Sequence, residues 1–202
     1  MLFIALHNAV AAPRTILVFG DSLSAAHGLR PEQGWVALLG QRLESQGYGY
    51  QIVNASVSGE TSGGGAERLP RALQLHHPGI VILELGANDG LRGLPLSGTR
   101  EDLSHMVQLS QAAGAHVLLI GMRIPPNYGQ RYTEDFAHVF SEIAAQYHLP
   151  LVPFLLKDVA LNPALMQEDG LHPNARGEPP IVDTVWPYLK PMLNKNPSDG
   201  GH

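Results

Sequence analysis

The sequence predicts an α/β fold with a central parallel sheet, and three observations carry the prediction. Short apolar runs alternate with segments of helical period, the first run is continuous and not alternating, and polar motifs follow the runs directly. Thr15-Ile16-Leu17-Val18-Phe19, stopped by Gly20, reads as a strand buried on both faces. Residues 34–46 place Trp35, Leu38, Leu39 and Leu43 at spacings of three and four, which lines one face of a helix. The same beat repeats as a strand at 50–54, a helix at 66–75, a strand at 80–85, a helix at 102–113 and a strand at 117–121. A helix at 133–147 and a strand at 151–154 follow. The last helix is expected to begin near Asn174, with Pro179-Pro180 in its first turn and Val182, Val185, Trp186 and Leu189 turned inward. Strands alternating with helices in this way imply βαβ units, with helices on both faces of the sheet.

Composition bounds what such a chain can do. With 202 residues, 44% apolar and 15% charged, it fits one globular domain, placed at residues 13–193. A net charge of −5 without a dense Lys/Arg run gives no footprint for nucleic acid. The absence of cysteine removes disulfides, thiolate-bound zinc and thiol nucleophiles together. No apolar run approaches the ~20 residues of a membrane span, so no stable membrane anchor is expected. Residues 1–12 read as the remnant of an export signal, with Ala9-Val10-Ala11 in the small-x-small form of a cleavage site, which points to a periplasmic or secreted protein, otherwise a cytoplasmic one. Residues 194–202, rich in Gly, Ser, Pro and Asn, read as a disordered tail.

Four motifs fall where loops leave the strands: Gly20-Asp21-Ser22-Leu23, Ser58-Gly59-Glu60-Thr61, Gly86-Ala87-Asn88-Asp89, and Asp169-Gly170-Leu171-His172-Pro173 before the last helix. Ligands of open parallel sheets bind at that rim, so four distant segments converge on one place. A serine hydroxyl is a poor nucleophile until a base takes its proton, and His172 is the natural base for Ser22. Asp169 would hold the imidazole in one tautomer and stabilise the imidazolium. The backbone N–H groups of Ser22 and Gly59 and the side-chain amide of Asn88 are the candidate donors to an oxyanion. These are the parts of acyl transfer through a serine ester, and they call for no metal and no cofactor.

Each motif alone has an ordinary reading as a turn. Asn-Asp-Gly and Asp-x-x-His-Pro are turn formers, and Asp21 is suited to cap the turn that carries Ser22. The run Gly63-Gly64-Gly65 lacks the Lys-Ser/Thr ending of a phosphate loop and is read as a flexible strand-to-helix loop. His76-His77 read as a solvated helix end.

In their order and spacing the four motifs resemble the blocks of the SGNH hydrolases, the GDSL family, over residues 15–193. Longer stretches, residues 54–62 and 85–93, resemble the bacterial periplasmic thioesterase/lysophospholipase/arylesterase branch. The resemblance implies a three-layer α/β/α, flavodoxin-like sandwich. It implies Ser22, Asp169 and His172 as triad and Ser22, Gly59 and Asn88 as oxyanion hole. It further implies hydrolysis of small-molecule acyl esters and thioesters without a cofactor. In this branch the segment Leu91-Arg92-Gly93-Leu94-Pro95 is a mobile loop that closes on the acyl chain, facing a wall that includes Pro126 and Tyr128. His27 stands where the branch often has an aromatic or aliphatic residue, close enough to the nucleophile to alter acyl preference. A carbohydrate O-acetylesterase and a non-catalytic flavodoxin-like binding module remain as alternatives.

Overall fold

The computed structural model describes residues 14–194; residues 1–12, read as an export signal, and the expected tail beyond its first residue lie outside them. Five parallel strands, β1 (Arg14–Gly20), β2 (Tyr50–Asn54), β3 (Ile80–Glu84), β4 (His116–Ile120) and β5 (Leu151–Val152), form one sheet in the order β2-β1-β3-β4-β5. Helices α1 (Trp35–Ser45) and α6 (Glu178–Leu189) contact each other on one face, and α2 (Ser62–His76), α4 (Leu96–Ala112) and α5 (Gln130–Tyr147) form a second layer. A one-turn helix, α3 (Ala87–Leu91), leaves the end of β3. This is the expected three-layer α/β/α sandwich.

Burial explains why the strands are continuous in apolar character. Ile16 to Phe19 and all of β3 are buried, because helices cover both faces. On α5, Phe136, Val139, Phe140 and Ile143 turn one stripe inward at the period expected of an amphipathic helix. The strand order reverses direction between β1 and β3, so the crevice of the switch point opens at their carboxyl ends. Residue 22 follows β1 and residue 88 follows β3.

Several boundaries differ from the sequence reading, each for a local reason. The glycine run is not a loop: Ser62 to Gly65 form the first turn of α2, with the Thr61 hydroxyl accepting from Gly64 N at 3.3 Å. A Cβ on Gly65 would stand 2.4 Å from Leu85, so the glycine is there to let the helix lie close on the sheet. Helix α4 begins at Leu96, not at 102, and the Asn-Asp-Gly turn signal belongs to α3. Strand β5 ends after two residues, since Pro153 has no N–H to continue the ladder. Helix α6 starts at Glu178 and not near Asn174, whose amide donates to Ala164 O and Met166 O and whose Oδ1 accepts from Arg176 N. Pro179-Pro180 do sit in its first turn, but Trp186 is only half-buried, edge-on to Tyr48 and under the Arg42 guanidinium. His77 caps α2 in the left-handed conformation at φ 41°, a helix end as expected.

The two helices of the smaller layer are joined through one acid. Glu178, almost fully buried, accepts from Trp35 N at 2.7 Å and so caps α1 from α6. Burial raises its pKa to about 7 against the opposing pull of that N–H. The folded state therefore holds a proton that the unfolded chain releases near pH 4.5. This contribution to stability is full below pH 4.5 and is lost as pH rises through 7, a change on the order of 2–3 kcal/mol. In urea unfolding at pH 5 and pH 8, Glu178→Gln should lose less stability over that interval than the wild type; equal losses would show that Glu178 does not carry the effect.

Candidate active site

The turn after β1 presents Ser22 at the rim, and the loop before α6 brings His172 to it across 150 residues of chain. Ser22 Oγ lies 2.8 Å from His172 Nε2, and His172 Nδ1 lies 2.6 Å from Asp169 Oδ2. Asp169 Oδ1 accepts from the backbone N–H groups of Leu171 and His172 at 2.9 and 3.0 Å. The turn reading and the catalytic reading of this segment thus hold together: one carboxylate oxygen makes the turn and the other holds the imidazole. Burial works to raise Asp169, but the bonds from the His172 ring and the two N–H groups outweigh it and bring its pKa down to about 2. An ionised Asp169 only accepts, so Nδ1 carries the proton and Nε2 is left as the acceptor for the serine hydroxyl.

The candidate oxyanion donors surround the same turn. Neither Ser22 N–H nor Gly59 N–H has a hydrogen-bond partner among the described residues. Gly59 sits at φ 80°, a conformation that a side chain would strain. Its carbonyl accepts from Arg92 at 2.9 Å, while Arg68 donates to Glu60 and to Ala55 O, so two guanidiniums hold the Gly59 loop from outside. Asn88 donates from Nδ2 to Asp21 Oδ2 at 3.1 Å and to Glu60 O at 3.0 Å. Asp89 beside it is buried and accepts from Ser62 N and from the Ser62 and Thr99 hydroxyls, locking α3 to the starts of α2 and α4.

A cleft of about 1160 Å³ runs from Ser22, Asn88 and His172 along a mostly apolar wall that includes Met122, Ile124 and Phe154. Of the residues expected around the substrate, Leu91 and Pro126 line it. Arg92, Gly93, Leu94, Pro95 and Tyr128 do not, and the loop is fastened from its sides. Arg92 holds Gly59, Tyr128 OH donates to Leu91 O, and Tyr132 OH donates to Leu94 O. Met122, Phe154, Leu156 and Met166 are lining residues that the sequence reading missed. They carry no signal of their own, since an apolar residue facing a cleft looks like one facing the core.

Comparison with known proteins shows the family. The profile of the GDSL-like Lipase/Acylhydrolase family matches residues 18–178. The chain belongs to that family. It is 51% identical over 183 residues to the protein named esterase TesA of Pseudomonas aeruginosa, covering 91% of each chain. It is 42% identical over 184 residues to the protein named thioesterase 1/protease 1/lysophospholipase L1 of Escherichia coli K12, covering 91% of this chain and 87% of that one. Among solved structures it resembles the psychrotrophic esterase EstA of a Pseudoalteromonas species, inhibited by monoethylphosphonate. The TM-score is 0.85 at 44% identity, over 89% of this chain and 98% of that one.

The first residues of this GDSL chain's motif rest on an acid the sequence reading passed over. Glu84, the last residue of β3, has no exposed surface; its Oε2 accepts from the Ser24 hydroxyl at 2.7 Å and from Asp21 N at 3.3 Å. A Cβ on Gly20 would stand 2.4 Å from that oxygen, which is why the motif opens on glycine. Burial and the neighbouring Asp21 push the Glu84 pKa well above the carboxylate range, and burial raises Asp21 to about 6. A lone acid closing an apolar strand was the visible signal. Glu84→Ala should cost about 2–4 kcal/mol, from the cavity and the stranded Ser24 and Asp21 donors. Glu84→Gln, whose carboxamide oxygen accepts the same two bonds, should cost about 1 kcal/mol or less in thermal melts; equal losses would mean the two bonds do not matter.

Proposed function

We propose that Ser22 is the nucleophile, His172 the general base and acid, and Asp169 the orienting carboxylate of an ester and thioester hydrolase. The observation that carries this is the continuous relay Asp169–His172–Ser22, at 2.6 and 2.8 Å, opening into an apolar cleft. Ser22 Oγ attacks the acyl carbonyl as its proton passes to His172 Nε2. The carbonyl oxygen, now negative, takes the free N–H groups of Ser22 and Gly59 and the amide of Asn88. As the tetrahedral intermediate collapses, the imidazolium returns its proton to the leaving alcohol or thiol, and an acyl-serine remains. Water then attacks that ester, His172 takes its proton, and the acid leaves as the serine is regenerated.

Activity on both esters and thioesters is supported by the relatives named esterase and thioesterase. Aryl esters, lysophospholipids and acyl-CoA-type thioesters are the substrates we propose. They share an apolar acyl part and differ in leaving group, and a relay that protonates the leaving atom serves both oxygen and sulfur. The length of the apolar wall favours this over a carbohydrate O-acetylesterase, which needs only a short pocket. The Ala9-Val10-Ala11 segment supports an exported site of action.

A fluorophosphonate probe should label the wild type and leave Ser22→Ala unlabelled; a folded wild type that takes no label would end the serine-ester reading. Asn88→Ala should lower kcat by about 10²–10³ with little change in KM, as expected for a donor that acts on developing charge. Along a series of p-nitrophenyl esters, kcat/KM should peak at medium acyl chains, and a sharp preference for acetate would favour the O-acetylesterase.

A further inference from the structure

Beside the relay stands a second imidazole. The rings of His27 and His172 lie with centroids 4.5 Å apart at 39°, so His27 covers one face of the ring that takes the serine proton. The position is built by several independent features. His27 N donates to Ser22 O at 3.1 Å, which ties it to the nucleophile turn. Ala26 before it is buried and held at φ 56°, left-handed backbone that a non-glycine residue seldom adopts. Gly28 after it, at φ 73°, has no room for a side chain, since a Cβ would stand 2.3 Å from Gln167 Oε1. Gln167 in turn donates from Nε2 to His27 O and to Pro173 O, each at 2.8 Å, and from its backbone N–H to His172 O at 2.7 Å. One side chain thus clamps the His27 turn to the His172 loop, while His27 itself stays exposed and open to protons from water.

We propose that His27 is a positioning residue for the base, holding one face of the His172 ring and, when protonated, opposing the imidazolium that His172 forms during the reaction. The inference rests on His172 being the base. Other charged groups stand around the pair. Asp169 lies on Nδ1, and the buried Asp21 lies beside the nucleophile turn. Arg30 and Glu168 belong to the same two clamped segments, and Arg123, Lys157, Asp158 and Asp183 stand along the cleft. None of these stacks on the ring as His27 does. Two cations this close oppose each other even near water.

The test follows the imidazole Cε1–H resonance of His172 by NMR from pH 4.5 to 8.5 in the wild type, His27→Phe and His27→Gln, with His172→Ala for assignment. Removing the neighbouring charge should raise the His172 midpoint by about half a pH unit in both variants. In parallel, kcat/KM on p-nitrophenyl butyrate, normalised to each protein's own value at pH 8, should be about 2-fold lower near pH 6 in both variants than in the wild type, because a base with a higher midpoint is more fully protonated there. Unchanged midpoints and superimposed profiles would overturn the proposal. A rise in only one variant would assign the effect to ring packing and overturn the charge claim as well. Substrate turnover by His172→Ala would strike the relay itself, and the titration, which needs no turnover, keeps those two failures apart.

Discussion

Glu84 fills the gap between the ends of β1 and β3 with no surface exposed to water, and the turn that carries Ser22 is shaped around it. Its Oε2 meets Asp21 N and the Ser24 hydroxyl, on either side of the nucleophile, so the turn is pinned before and after Ser22. Asp21 then caps the turn through Leu23 N and reaches Asn88. The chain of contacts runs from a buried strand end to the nucleophile turn and on to the candidate oxyanion amide. Burying an acid is costly unless it takes a proton, and the raised pKa values of Glu84 and Asp21 report that cost. A rigid turn at a sheet switch point is what the cost sustains.

The opposite electrostatic regime holds two loops away. Asp169 stands partly in water, takes two backbone N–H groups and the imidazole, and is driven to stay ionised. Within one site, burial therefore raises the pKa of one carboxyl and hydrogen bonding lowers that of another. Glu84 shapes the turn, and an ionised Asp169 suits the orienting role proposed for it. The apolar wall adds no further charge of its own to this balance at Met122, Ile124 and Phe154.

Much of this was legible in the sequence because it rests on short-range pattern. Strand β1 announces itself by an unbroken apolar run, and α5 by a stripe of period three to four; three of the polar motifs follow strands, and the fourth precedes the last helix. Topology then does the long-range work, since a parallel sheet gathers its carboxyl ends whatever the loops contain. What was not legible depends on space and not on pattern. Gly65 looks like loop material until the Leu85 methyl beneath it is seen, and Asn174 looks like a helix start until its amide is found bonded to Ala164 and Met166. The loop after Asn88 shows the same limit. Its leucines suggest contact with substrate, and Leu91 does line the cleft, but the fastening of the loop by Arg92, Tyr128 and Tyr132 has no sequence signal.

That fastening bears on how the oxyanion is received. Both hydrogens of the Asn88 amide are engaged in the free protein, one by Asp21 and one by Glu60 O. An arriving oxyanion must therefore share or take one of them, whereas the N–H groups of Ser22 and Gly59 stand open. The engaged amide is not wasted. It is held in one orientation by its two acceptors, so little reorganisation remains when charge develops. The Asp21 partner is the better of the two to yield. Burial raises its pKa to about 6, so it gains a proton more readily than an ordinary carboxylate, and Leu23 N still bonds it when the amide leaves. Glu60 O, by contrast, belongs to the loop that Arg68 and Arg92 clamp, and releasing it would loosen the Gly59 donor that the same oxyanion needs.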